Sequence, residues 1–246
     1  MGNTGKAYVG TSGWHYKHWV GPFYPENTTP EAFMDFYEQF FQTVELNNSF
    51  YHIPPAKTFE KWASASPEEF IFSVKASRQI THLKKLKHSD TLPYFIAQAE
   101  ALKDKLGPIL FQLPPNWEYN EERFQSFLKE LPTEYRYTFE FRDPSWYREE
   151  VYALLKQHNI AFCIYELGHH VSPAQVTADF VYVRLHGPGK KYQGDYNDAT
   201  LQLWADRCAG WQKKALDVFI YFDNDQNGYA AKNAIKLKEL IAAHRQ

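Results

Sequence analysis

The feature that most constrains this chain is a recurrence. Eight short runs rich in β-branched and aromatic residues are spaced along 246 residues, and helical patterns separate most of them. The runs are Ala7–Gly10, Thr43–Leu46, Phe70–Lys75, Pro108–Leu113, Arg136–Phe141, Ile160–Tyr165, Phe180–His186 and Asp217–Phe222. A helix expected over Pro30–Phe41 opens with Thr29-Pro30-Glu31, a helix-start signal. One expected over Thr91–Leu106 ends at Gly107, read as a C-cap. Glu121–Leu131, Ser145–His158, Ala199–Ala215 and Gly228–Ala243 follow the same logic. Between the sixth and seventh runs, Gly168–Asp179 leaves room only for a short or irregular helix. The alternation predicts an α/β protein, a single (β/α)8 TIM barrel, for which about 250 residues is a common size. A doubly wound open sheet is the other arrangement, but no G-x-G-x-x-G follows any run. No linker-like or low-complexity tract divides the chain, so residues 1–246 read as one domain.

Side chains alternate along a strand, so in a barrel one parity meets the helices and the other fills the interior. In the seventh run the apolar parity is Val181, Val183, Leu185, which leaves Tyr182, Arg184 and His186 facing inward. The fifth run likewise sends Thr138, Glu140 and Arg142 inward, the second Glu45 and Asn47, the third Ser73 and Lys75. Gln112, Tyr165, Tyr221 and Asp223 join them. The polar residues lie toward the C-terminal ends of the runs, where this architecture builds its sites. An unpaired buried charge costs several kcal/mol (roughly), so they must either pair or serve a ligand. A purely structural ion network is one reading, because Lys75, Arg142 and Arg184 balance Glu45, Glu140 and Asp223.

The segments after these runs add charge and aromatic surface. Lys75, Arg78, Lys84, Lys85 and Lys87 follow the third run with no acid between them, and Lys190 and Lys191 follow the seventh. Basic charge thus gathers at one mouth of a chain whose formal net charge is -2. That balance excludes a wholly basic nucleic-acid module but not a local basic face. The Gly187-Pro-Gly-Lys-Lys-Tyr192 segment is a candidate phosphate cradle. Aromatics reach 17%, and Trp14 and Tyr51 directly follow inward polar strand ends, where they can stack on a base or a sugar. Phe50, Trp19, Trp117 and Trp146 are expected to plug loops instead.

No apolar run is long enough for a signal-peptide core or a transmembrane helix. Position 6 is Lys6, so the Met-Gly start lacks the myristoylation pattern. Cys163 and Cys208 are too few for a disulfide framework and are expected to be buried as small apolar residues. The expectation is a cytoplasmic protein without a membrane partner, its oligomeric state open.

Several segments together resemble the YecE-like family, domain-of-unknown-function family 72. They are Gly10-Thr-Ser-Gly-Trp14, Thr43-Val-Glu-Leu-Asn-Asn-Ser-Phe-Tyr51, Phe72-Ser-Val-Lys-Ala76, Thr81-His82, Leu106-Gly-Pro-Ile-Leu-Phe-Gln-Leu-Pro-Pro115, Phe139-Glu-Phe-Arg142 with Ser145-Trp146, Val183-Arg-Leu-His-Gly187 and Tyr221-Phe-Asp-Asn224. The resemblance spans nearly the whole chain and implies a TIM barrel. Two positions depart from its pattern: Asn48 stands where Ser is usual, and Asp223 where Asn is usual, replacing an amide by a carboxylate. The resemblance implies a fold and a residue set, but no reaction.

Four functions compete. The first is binding or processing of a phosphate-bearing ligand: nucleic acid, nucleotide or sugar phosphate. The fold is loosely similar to xylose-isomerase-like barrels, which include an abasic-site endonuclease, but only His186 is a His on an inward strand end here. The cofactor is therefore open, with at most a single metal ion, held by Glu45, Glu140, His186 or Asp223. The second is a carbohydrate-active enzyme using Glu45 and Glu140. The third is metal-free proton transfer on a sugar phosphate. The fourth is a non-catalytic binding protein. No G-x-S-x-G exists, and Ser12 is followed by a loop, so a nucleophilic triad has no support. In the favoured reading Arg184, Lys75 and Arg142 neutralise a small anionic ligand or nucleic acid. Glu140 is the base, oriented by Arg142, and His186 is a proton donor or lone metal ligand, with Lys75 as the other electrophile. Glu45, Asn47, Gln112 and Asn224 orient the ligand, Trp14 and Tyr51 stack on it, and Thr81 and His82 complete the binding set.

Overall fold

A computed structural model of the protein describes residues 4–189 and 191–244. Nine strands occur among the described residues: β1 (Ala7–Thr11), β2 (Thr43–Leu46), β3 (Ile71–Lys75), β4 (Leu106–Gln112), β5 (Tyr137–Glu140), β6 (Ala161–Leu167), β7 (His170–Val171), β8 (Phe180–Leu185) and β9 (Asp217–Phe222). They run in the order β1-β9-β8-β6-β5-β4-β3-β2, with β7 paired to β6. A parallel bridge between Ser12 and Glu45 joins the two ends of that order. Gly10 permits this approach, because a Cβ there would lie 2.4 Å from the carbonyl oxygen of Thr43. The Tyr37 hydroxyl fastens the same junction: it accepts from the Thr11 amide at 3.0 Å and donates to the Thr43 carbonyl at 3.1 Å. This is a (β/α)8 barrel topology, as the eight runs predict.

The helices are α1 (Phe33–Tyr37), α2 (Asn48–Tyr51), α3 (Ala56–Ala65), α4 (Thr91–Ala99), α5 (Glu121–Glu130), α6 (Glu149–Gln157), α7 (Asp198–Gln212) and α8 (Tyr229–Ala243). Between β6 and β8 there is no helix, only the hairpin that ends in β7. Three expectations need correction. Gly107 caps no helix: it lies inside β4, where a Cβ would meet Ile71 Cγ2 at 2.6 Å. The helix before it stops at Ala99 and continues as a 3-10 turn, Glu100–Lys105, broken by Lys103 at φ 54. The helix expected from Ser145 starts only at Glu149, because Asp143 accepts from the Ser145 amide and Pro144 opens a 3-10 turn. Nor does α1 fill Pro30–Phe41, since its first turn is a 3-10 turn, Pro30–Ala32.

Contacts sort the chain into two units. The first takes the chain up to Glu45, Ile164–Ala174 and the chain from Asp179 onward; the second takes Leu46–Cys163 and Gln175–Ala178. In the first, β1, β9 and β8 pair in parallel, and Val181, Val183 and Leu185 are buried. Its loops are plugged by aromatics: Trp19 is fully buried, and Tyr24 stacks on Phe33 at 4.3 Å. In the second, β3, β4 and β5 pair in parallel and pack on α5. Phe111 meets Phe127 at 5.2 Å and Phe139 meets Phe124 at 5.3 Å, so the apolar parity of these strands faces the helix. Trp146 and Trp117 are buried there. Cys163 and Cys208 form no disulfide and are buried. Among the described residues no helix is long and apolar enough to cross a membrane.

Candidate functional site

Each unit carries a cluster of polar side chains at its strand ends. In the first unit the cluster centres on Glu45. Its Oε1 accepts from Ser12 Oγ at 2.7 Å and from Arg184 Nη2 at 2.7 Å. Its Oε2 accepts from the Tyr182 hydroxyl at 2.7 Å and from Arg184 Nε at 2.9 Å. A carboxylate has about four lone-pair sites, so Glu45 is saturated. Arg184 Nη2 also reaches Asp223 Oδ2 at 3.2 Å, and His186 Nδ1 lies 2.9 Å from the same oxygen. His186 Nε2 is 3.3 Å from Arg184 Nη1. A guanidinium only donates, so Nε2 accepts and the ring proton sits on Nδ1, donated to Asp223. Glu45, Arg184 and His186 are fully buried, and the Asp223 side chain is 15% exposed. Burial, with the Glu45 charge, pushes the Tyr182 hydroxyl well up, which keeps it a donor. Burial, with the Asp223 charge, raises the carboxyl of Asp225.

In the second unit the cluster centres on Phe50 and His82. Lys75, at the end of β3 and 8% exposed, sets its Nζ 4.4 Å from the centre of the Phe50 ring. The same ring meets His82 and Tyr51 edge-on, each at 5.0 Å. Tyr51 is 72% exposed, and the Arg78 guanidinium lies 5.9 Å from its ring centre. Ser49 Oγ donates to the Lys75 carbonyl at 2.6 Å, which ties α2 to the end of β3. After β3 the backbone forms a π-helical turn, Gln79–Leu83, a rare geometry that concentrates at functional sites. Lys85 and Leu86 follow at φ 49 and 60, a strained pair held by the burial of Leu86. From the end of β5, Glu140 is fully buried and pairs with Arg142 Nε. Cys163 Sγ lies 3.9 Å from the other Glu140 oxygen. Burial first, then the charges of Lys75, Arg142 and Arg78, pull His82 down to about 4, with Glu140 opposing. His82 is therefore neutral at pH 7 in a positive field.

The expected site residues thus divide. Glu45, Arg184 and His186 come together in the first unit, and Lys75, Thr81, His82, Glu140 and Arg142 in the second. Trp14, in the first unit, is only 9% exposed, and Asn224 donates both amide hydrogens inside the protein, to Gly194 O and Asn233 Oδ1. In the second unit Asn47 is half-buried with its Oδ1 unpartnered, and Gln112 pairs in register with Glu140. Lys84 and Lys87 are exposed, Lys191 lies 4.9 Å from the centre of the Tyr192 ring, and Lys190 lies outside the described residues. Among the described residues no three His, Cys, Asp or Glu side chains form a group that could hold a metal ion. The sequence reading left Ser12 and Tyr182 out of the site, though Tyr182 sits on the polar parity of its run. Arg78 belongs to the acid-free basic run after the third strand but not to the expected site residues.

A family model described as "Protein of unknown function DUF72" matches residues 8–246. The chain belongs to the DUF72 family. This DUF72 chain is similar to the UPF0759 protein YunF of Bacillus subtilis (strain 168), 27% identical over 268 residues, covering 95% of this chain and 94% of that one. It is also similar to the UPF0759 protein YecE of Escherichia coli (strain K12), 27% identical over 142 residues, covering 57% and 50%. A crystal structure of a DUF72 family protein from Thermotoga maritima superposes with a TM-score of 0.88 at 28% identity, covering 96% of this chain and 99% of that one. One from Enterococcus faecalis gives 0.80 at 20% identity, covering 96% and 95%, and shares the fold.

Proposed function

We propose that this DUF72 protein binds or processes a phosphate-bearing ligand at the basic cluster of its second unit. One observation carries the reading: Lys75 and His82 meet on the Phe50 ring and Arg78 lies over the adjoining Tyr51 ring, while the charges of Lys75, Arg142 and Arg78 add to the burial that keeps His82 neutral, opposed by Glu140. An anion entering such a field gains from each cation and displaces no protonated imidazole. The exposed ring of Tyr51, beside Arg78, offers a flat face to the rest of the ligand. Glu140, oriented by Arg142, is the candidate base if the ligand is also turned over. We assign the saturated Glu45–Arg184 pair of the first unit to holding strand ends, which leaves His186 a positioning residue on Asp223.

The test is calorimetric titration with inorganic phosphate, glucose 6-phosphate, AMP and a single-stranded oligonucleotide at two salt concentrations. Saturable binding of at least one, weakened by salt and by Lys75→Met, is expected. Absence of binding for all four at low salt would end the proposal.

A further inference from the structure

The basic cluster contains a side chain built to hold either of two protonation states. His82 Nδ1 lies 2.9 Å from Thr81 Oγ1, and Thr81 Oγ1 lies 3.4 Å from the carbonyl of Ser77. A hydroxyl is both donor and acceptor. With the imidazole neutral, Thr81 can donate to Nδ1. With the imidazole protonated, Nδ1–H donates to Thr81 Oγ1, and the hydroxyl hydrogen turns to Ser77. Both states are satisfied without moving a heavy atom far, although Thr81 is fully buried. The groups that set the proton's free energy come from every element packed there: Lys75 at the end of β3, Arg78 before the π-helical turn, and Glu140 and Arg142 at the end of β5. Burial and, after it, these fixed cations keep the ring neutral while the site is empty of anion. A doubly charged anion beside these three cations and Glu140 cancels their net charge, which lowers the cost of a proton on the ring.

We infer that the ligand is a phosphate monoester in its dianionic form, and that His82 takes up a proton as the phosphate binds, joining Lys75, Arg78 and Arg142 as a cation on it. The inference rests on the phosphate reading above and specifies the class within it. The proton comes from solvent and forms an N–H bond on the imidazole; no other bond changes. A phosphodiester carries one charge, so it repays that proton less and is bound more weakly. A monoester is half dianionic at about pH 6 and nearly all dianionic by about pH 7. Above that pH its affinity should fall by up to about tenfold per pH unit while binding still draws a proton.

The experiment is titration calorimetry with glucose 6-phosphate in two buffers of different ionisation enthalpy, from pH 6 to 8, with dimethyl phosphate as the diester. AMP and a 5′-phosphorylated oligonucleotide distinguish a small monoester from the end of a polymer. Net uptake is expected to rise from about half a proton per ligand near pH 6, where half of the monoester gives up its own proton, toward about one near pH 7; it is lost in His82→Gln and reduced in Thr81→Val. Ring NMR of His82 in the unaltered protein gives the same answer without a variant. Binding without proton uptake, or uptake that survives His82→Gln, would overturn the inference and leave the phosphate site standing. Equal affinity for dimethyl phosphate would overturn the monoester class. Failure of every phosphate to bind would remove both.

Discussion

Glu45 in the first unit and Glu140 in the second each end a strand beside an arginine, yet the two pairs have different surroundings. Glu45 takes donors from Ser12, Tyr182 and twice from Arg184, while Arg184 Nη2 also donates to Asp223 and Nη1 to His186. The second cluster instead combines Lys75, Arg78 and Arg142 with a neutral His82, and continues to a tyrosine that is 72% exposed. The first carries an excess of carboxylates with Asp223 and Asp225; the second, an excess of cations around His82. A strand-end carboxylate–arginine pair is therefore not in itself a site. What distinguishes the two is the charge around the pair and whether it reaches solvent.

Four changes would break or sharpen this contrast. The largest effect should come from Arg184→Met, which strips donors from a fully buried carboxylate. Breaking such a pair costs about 3–5 kcal/mol, read as a lower urea midpoint. A loss below about 1 kcal/mol would mean that the network of the first unit does not hold the strands. Lys75→Met should weaken phosphate-ligand affinity by about tenfold or more, about 1.4 kcal/mol, with little change in the urea midpoint. Unchanged affinity with a large stability loss would make the second cluster a structural network as well. Tyr182→Phe removes one donor from Glu45 and should cost about 1–2 kcal/mol of stability without touching affinity. The fourth change concerns pH. His82 titrates near 4 when folded and near 6.5 as its ordinary value, so the unfolded chain binds more protons between these pH values. Stability should therefore fall as pH drops from about 6.5 toward 4, and the melting temperature of His82→Gln should fall less over that range. Identical pH profiles for both proteins would remove His82 from the account.

Much of the barrel was legible because its signals are local and periodic. Thr43–Leu46 and Asp217–Phe222 form strands with the expected ends, and the apolar parity of β4 and β5 faces α5. The polar parity named Glu45, Arg184, Lys75 and Glu140, because alternation tells which side chains share a face. It could not tell that they divide between two clusters, since pairing across strands depends on register and on distant donors such as Ser12. α3 is amphipathic and follows α2 directly, so two helices occupy the interval between β2 and β3 that the strand-by-strand reading leaves unassigned. Gly107 misled because a glycine after a helical pattern reads as a cap, whereas here the close approach of β3 requires it. The π-helical turn that carries Thr81 and His82 has no sequence period of its own, so its pairing of imidazole and hydroxyl was visible only in the structure.

The most direct measurement is histidine-ring NMR of the protein as glucose 6-phosphate is added at pH 7. The account predicts that the His82 resonances move saturably toward the protonated position while those of His186, enclosed by Arg184 and Asp223, stay in place. Movement of His186 with His82 unchanged would place the anion in the first unit and contradict the account.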